Sequence, residues 1–453
     1  MDYWFGIESY VKCGLRTGYW GIYEYIPQAG TFSTHGFAPL MLYGLFGKLF
    51  GWPMNGIVMS NTLKMVLALA AFVLVLKPDV RQSLLLTGLS MCFTPIMLYS
   101  TLSLTEPVNY AILLIDAAFL VRYLQKGKWT WLVGLCLATA YACLYRISYV
   151  VLLLPILFAF FRFHGFKKTI VAGVIGFAAA FFIYWLTSRY TSPYSSGFLY
   201  HFTHFGTWQD KLLLLLKNTW HNFRDMFLKS SGNVLEDATR LLYLLTMLFC
   251  CVGTFARVQK ENGRYRLARR GKVDPAYLCA ALVLAGTLAI MLMLYSVGGR
   301  RDLRVLAPVM WATSVLLMMR GRPLLAKGML CLSVVTLALF IFSGTHFEMG
   351  ESKRYELTEV DPQIAELCAP IVYQPDAENP FENTLRVGQF SDDIMRSIPA
   401  GIGVQNATLF PETVRHSEYV LSFDSEANFE GYEKIVQNEK GALWRRVRES
   451  TAG

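Results

Sequence analysis

The chain has 453 residues, of which 54% are hydrophobic and only 16% charged, with a mean hydropathy of +0.38. Soluble domains carry about 25% charged residues, so an ordinary water-soluble fold is excluded. Disorder is excluded as well, because apolar content is high and low-complexity tracts are absent. A net charge of +10 does not point to nucleic acid, since Lys and Arg gather in short loops between apolar runs, as the positive-inside rule expects of a membrane protein.

Residues 1–55 come first and are read as an extracytoplasmic loop with interfacial helices. Asp2, Glu8 and Glu24 lie among Tyr3, Trp4, Tyr10, Tyr19, Trp20, Tyr23 and Tyr25. Carboxylates beside aromatic rings suit a sugar, whose CH face stacks on a ring while its hydroxyls bond the acids. The same composition fits an aromatic belt at the membrane surface. The segment shows no signal peptide, so its external placement implies one further helix upstream of this sequence. Segment 37–51 is apolar but short, carries Lys48, and reads as an interfacial helix.

Ten segments approach the roughly 20 apolar residues needed to span a bilayer: 56–76, 83–99, 107–124, 130–145, 147–161, 169–187, 238–256, 276–297, 305–319 and 324–343. Alternate loops between them are basic: 77–82, 122–128, 162–168, 257–274 and 320–323. Placed in the cytoplasm, these leave 100–106, residue 146, 188–237, 298–304 and the C-terminal tail outside. The core thus runs over 56–344. Residues 345–453 change composition, lack long apolar runs, and read as a small extracytoplasmic α/β domain. Strands are expected at 370–375, 418–424 and 442–447, helices at 361–368 and 390–397, and a hairpin turn at Lys440–Gly441.

Ionisable groups at the outer rim mark function better than apolar helices do. Glu106 stands before Pro107 where an external turn enters a helix, a place a carboxylate also suits by helix dipole alone. The loop Gly298-Gly299-Arg300-Arg301-Asp302-Leu303-Arg304 puts three arginines on the wrong side for the charge rule. Guanidinium forks bind phosphate bidentately, so a lipid phosphate is the natural ligand of Arg300, Arg301 and Arg304. Arg146, between two apolar runs at the outer end, is a related oddity. In the long loop 188–237, His201 and His204 lack a completing carboxylate, so no metal site is expected. Seven of nine cysteines lie in apolar segments; a Cys13–Cys368 disulfide is the one pairing left open. P-loop, dinucleotide, nucleophile-elbow and HExxH motifs are absent in fitting contexts.

The aromatic-acidic opening, the stretch THGFAPLMLYGLFGKLFGWP containing His35, the LTEP turn, the late RRDLRVLAPVMW and the external tail together resemble the GT-C glycosyltransferases, over roughly residues 1–345. The resemblance implies an all-α polytopic fold of about ten spans. It implies transfer of a sugar from a polyprenyl-phosphate donor to a glycan, lipid or protein acceptor on the extracytoplasmic side of the cell membrane. Membrane lipids are partners and nucleic acid is not. No cofactor is required, and a divalent metal stays open. By position, Asp2 matches the family's acidic residue of the first external loop, with Glu106 as a second catalytic group. Glu8, Tyr19, Glu24, His35, Arg146, Arg300, Arg301 and Arg304 are expected to bind substrate. A carboxylate would take the acceptor's proton as it attacks with inversion, and arginines would stabilise the departing phosphate. The rival readings are an O-antigen-polymerase- or ligase-like enzyme, compatible with the 50-residue loop 188–237, and a transporter, which would need charges at mid-bilayer, where the spans hold few, Lys64 and Asp116 being the exceptions.

Overall fold

The computed structural model describes residues 2–14, 21–22, 37–100, 105–189, 202, 206–230, 234–261, 264–295, 301–343, 359–378, 380–389, 391–406, 409, 417–424 and 426–447. The chain divides into two compact units. One comprises residues 1–60, 185–203 and 352–453; the other comprises 61–184 and 204–351.

In the first unit, helix α1 (Asp2–Cys13) crosses α2 (Phe37–Phe50). The Trp4 indole donates to the Pro53 carbonyl at 2.8 Å, and the Trp52 indole donates to the Trp4 carbonyl at 3.0 Å. A side chain at Gly44 would collide with the Tyr10 ring, so the glycine is what lets the helices approach. The tail of the chain belongs to this same unit. Strands β1 (Gly21–Ile22), β4 (Thr384–Val387), β5 (Gly403–Asn406), β6 (Tyr419–Ser422), β7 (Tyr432–Asn438) and β8 (Gly441–Arg446) form one sheet in the order β1-β5-β4-β6-β8-β7. β4 lies parallel to both neighbours, while β6, β8 and β7 are antiparallel. Helices α15 (Pro362–Cys368) and α16 (Asp392–Ser397) match the expected pair. Ser9 Oγ accepts from the Gly401 amide at 3.0 Å, so α1 is tied to the tail.

The tail departs from expectation in two places, and the cysteine pairing left open is not formed. Segment 370–375 is not a strand: the Gln374 amide donates to Asn383 Oδ1 and Asn383 Nδ2 donates back to the Gln374 carbonyl, both at 2.7 Å. One amide side chain thus replaces a strand ladder. The central strands β4 and β5 carry no apolar run, because they bury Thr384, Arg386 and Gln405 completely, with Arg386 Nη2 donating to Gln405 Oε1 at 2.5 Å. Cys13 and Cys368 are free thiols; Cys368 is buried, and Cys13 Sγ faces the Ala400 carbonyl at 3.6 Å.

The second unit is helical. It holds most of α3 (Gly56–Leu76), then α4 (Val80–Cys92), α5 (Thr94–Ser100), α6 (Pro107–Lys126), α7 (Trp129–Tyr145), α8 (Leu153–His164) and most of α9 (Phe166–Arg189). After these come α10 (Trp208–Phe227), α11 (Val234–Phe255), α12 (Pro275–Leu294), α13 (Arg301–Met319) and α14 (Leu324–Ser343). Among the described residues six helical runs are long and apolar enough to cross a membrane; Trp129–Tyr145, Arg304–Met319 and Leu324–Ala338 are apolar but shorter. The expected span 83–99 is broken at Phe93, because Pro95 has no amide hydrogen for the α4 ladder and restarts the chain as α5. In α9 only Ala180 is buried, while Val171, Val174, Ile175, Phe177 and Phe181 are exposed. In water that surface would be a large exposed apolar patch; against lipid it is at equilibrium, and the chain is a multi-pass membrane protein.

The basic loop 257–274 contains a hairpin of β2 (Ala256–Glu261) and β3 (Arg264–Arg269). Asp274 caps α12 and binds Arg270 at 3.2 Å and Arg322 at 3.1 Å. Two loops that the charge rule assigns to one membrane face therefore meet at one carboxylate. The 20 residues of α12 carry the chain about 30 Å from that end to the opposite one.

Candidate functional site

At the opposite end of α12 the helical unit gathers three charged side chains from distant parts of the sequence. Glu106 precedes α6, with Pro107 at the first helical position and no cap bond from its own side chain. Its carboxylate is therefore not spent on the helix start. It is almost fully buried, and its Oε1 accepts from Arg146 Nη2 and from Arg304 Nη1, each at 3.3 Å.

Each partner is fixed by local structure. Arg146 is extended (φ −149°, ψ 119°) between α7 and a 3-10 turn at Ile147–Leu152, so one residue breaks the helix and turns inward. The preceding Tyr145 hydroxyl donates to the Thr105 carbonyl at 2.6 Å, which clamps the end of α7 to the turn before Glu106. Arg304 lies in the first turn of α13. The α6–α13 contact below it is set by buried Tyr110 and Trp311, whose rings meet edge to face with centroids 5.8 Å apart.

Burial alone would lower the Arg146 guanidinium, but the Glu106 carboxylate beside it reverses that and holds it above its ordinary value. Among the described residues two cations share one anion, which leaves these three groups with an excess positive charge. The Nε–H groups of Arg146 and Arg304 are buried and have no acceptor among the described residues. Buried donors left without acceptors are costly, so an oxygen ligand, from water or from an anion, is favoured beside them. Both arginines line a pocket with Ser148, Tyr149, Thr287 and Val309 that, at about 20 Å³, admits one water-sized group.

Of the residues singled out from sequence, Glu106, Arg146 and Arg304 are thus brought together. Glu8 is instead paired along its own helix with Lys12 at 2.5 Å. Asp2 lies in α1 and Arg301 at the start of α13, but their side chains fall outside the described residues. Tyr19, Glu24, His35 and Arg300 lie outside them altogether, as do His201 and His204. Asp116, a buried charge within a span, accepts from the Thr139 hydroxyl at 2.7 Å.

Sequence reasoning missed how the end of α12 is held. The amphipathic α10 lies along α12. Asn222 Nδ2 donates to the carbonyls of Leu292 (2.9 Å) and Tyr295 (2.5 Å), and Asn218 Nδ2 donates to those of Met293 (2.9 Å) and Tyr295 (3.1 Å). Two asparagines four apart on the buried face of such a helix were the available signal.

No family model matches the chain, and no curated protein matches it. Among solved structures, the crystal structure of ArnT from Cupriavidus metallidurans in the apo state aligns with 98% of this chain and 92% of its own, at 11% identity and a TM-score of 0.37. A likeness at that level carries no argument for function, which rests on the residues themselves.

Proposed function

We propose that the protein is a membrane glycosyltransferase that uses a lipid-phosphate-linked sugar, with Arg146 and Arg304 receiving one oxygen of the phosphate and Glu106 holding the two arginines in place. The observation that carries this reading is the pair of buried guanidinium Nε–H donors without acceptors among the described residues, converging beside a shared carboxylate at the end of a helical bundle. A phosphate leaving group gains negative charge as the glycosidic bond breaks. Donors already in place stabilise that charge without reorganising, each by about 2–4 kcal/mol. The sugar–phosphate bond itself supplies the driving force, so nucleotide hydrolysis is unnecessary.

Glu106 suits positioning better than proton transfer, since moving a proton onto it would dissolve an ion pair with two guanidiniums at the moment of reaction. The acid that takes the acceptor's proton is then Asp2, an assignment supported by the resemblance of the first loop to GT-C enzymes. The extracytoplasmic placement of the site and tail follows from the alternation of basic loops, and the meeting of Arg270 and Arg322 at Asp274 agrees with it. The test is turnover of purified protein on polyprenyl-phosphate sugars. Arg304→Gln is expected to slow lipid-phosphate release by about 30- to 1000-fold without loss of folded protein; a fall in activity only in step with folded protein would make the arginine structural. Asp2→Asn is expected to abolish transfer at unchanged protein level, and wild-type turnover would reject that assignment.

A further inference from the structure

Apart from the Glu106 pocket, the helical unit holds a groove of about 670 Å³ between α7, α8 and α9, within the size range of small-molecule sites. Its walls are apolar, from Leu132, Ile156, Leu157, Val171 and Ile175, and it shares no lining residue with the pocket of Arg146 and Arg304. It exists because α9 turns small residues toward α8. A Cβ on Gly176 would meet Leu153 at 3.5 Å, an ordinary contact. That glycine is therefore not required for close helix approach; it leaves space.

One end of the groove is different. Lys167 and Lys168, in the first turn of α9, line it there, as does Trp129. Neither lysine has an acidic partner among the described residues. Both also stand at the positive end of the α9 dipole, where cations are disfavoured unless an anion joins them. His164 sits at the same end between Trp129 and Phe160, with ring centroids 5.0 and 4.3 Å away, and its Nε2 is buried without a hydrogen-bond partner among the described residues. Apolar walls with a cationic, indole-bearing mouth match one ligand form: acyl chains along the helices and a negative head at the lysines.

We propose that this groove binds a diacyl phospholipid with an anionic headgroup, whose phosphate is held by Lys167 and Lys168. A polyprenyl-phosphate donor is the less fitting occupant, because its phosphate belongs with the arginines and the groove is lined by none. That choice of occupant rests on the transferase reading; the groove and its lysines do not.

The test uses full-length protein purified in detergent and native mass spectrometry, with phosphatidylglycerol and phosphatidylcholine as probes. Phosphatidylglycerol should be retained in preference to phosphatidylcholine. The double variant Lys167→Gln/Lys168→Gln should weaken its retention by about 30-fold, at the usual worth of two lysines near an anionic lipid. Phosphatidylcholine retention should not change, and Lys167→Arg/Lys168→Arg should keep the preference. Gly176→Leu, which fills the groove, should lower retention of both lipids. Equal retention of the two lipids by the wild type would overturn the proposal, as would unchanged phosphatidylglycerol retention in the Gln variant. So would polyprenyl phosphate displacing phosphatidylglycerol in a manner blocked by Gly176→Leu but indifferent to the lysines, which would assign the groove to the donor.

Discussion

Replacing Glu106 with Gln keeps the shape of the side chain and removes the anion shared by Arg146 and Arg304. At 3.3 Å, each carboxylate–guanidinium pair has a Coulomb attraction of about 5 kcal/mol at an effective dielectric of ~20. Desolvation of the charges offsets much of this, and breaking a buried pair by removing one partner costs about 3–5 kcal/mol net. The Gln variant should therefore unfold at markedly lower temperature. Its two guanidiniums should also seek another anion. Inorganic phosphate at about 100 times its dissociation constant would return about 2.7 kcal/mol, most of the loss. The assay is thermal unfolding of the purified variant and wild type across a phosphate titration, with sulfate-free buffer at constant ionic strength. A phosphate-dependent recovery in Glu106→Gln, larger than any shift in the wild type, is the expected result. Wild-type stability in the variant, or a stability loss that phosphate leaves untouched, would refute the view of this cluster as an anion-receiving pair of arginines.

Other consequences are equally direct. Asn222→Leu removes the donors to the Leu292 and Tyr295 carbonyls and should cost about 1–3 kcal/mol, with faster amide exchange at the end of α12. Gly44→Leu should destabilise the α1–α2 crossing by about 1–3 kcal/mol through overpacking against Tyr10, seen as a lower unfolding midpoint. The Asp361 carboxyl is held below its usual range by its bond to Lys440 and by the Gln363 amide. Its contribution is thus present above the ordinary Asp range and lost as pH falls through the lowered folded value. Exchange protection of α15 should fall with it, and Asp361→Asn should remove that dependence. Burial pushes the Cys368 thiol up to about 12, so alkylation of Cys368 at pH 8 should be slow in the folded chain and fast in denaturant; equal rates would contradict the burial.

The sequence makes the membrane class and most helix positions legible, because 20-residue apolar runs and alternating basic loops are properties of the chain itself. It also marks Glu106, Arg146 and Arg304 one by one, each as a charge where charge is costly. What it cannot show is that three such residues, separated by 40 and 198 positions, converge on one carboxylate oxygen, since that depends on how α6, α7 and α13 pack. The tail is less legible. Its central parallel strands bury Thr384, Arg386 and Gln405, so apolar patterning is lost where burial is greatest, while the apolar 370–375 takes its bonds from Asn383 instead. The break at Phe93 was readable from Pro95, but apolarity alone hides it.

The central claim is that a lipid phosphate departs from a sugar at Arg146 and Arg304. Purified protein incubated with a panel of polyprenyl-phosphate sugars, with free lipid phosphate measured over time, tests it most directly. Release from at least one donor is expected, and loss of that release in the folded Arg146→Gln/Arg304→Gln protein. No release from any donor by folded wild-type protein with acceptors supplied, or undiminished release by the double variant, would contradict it.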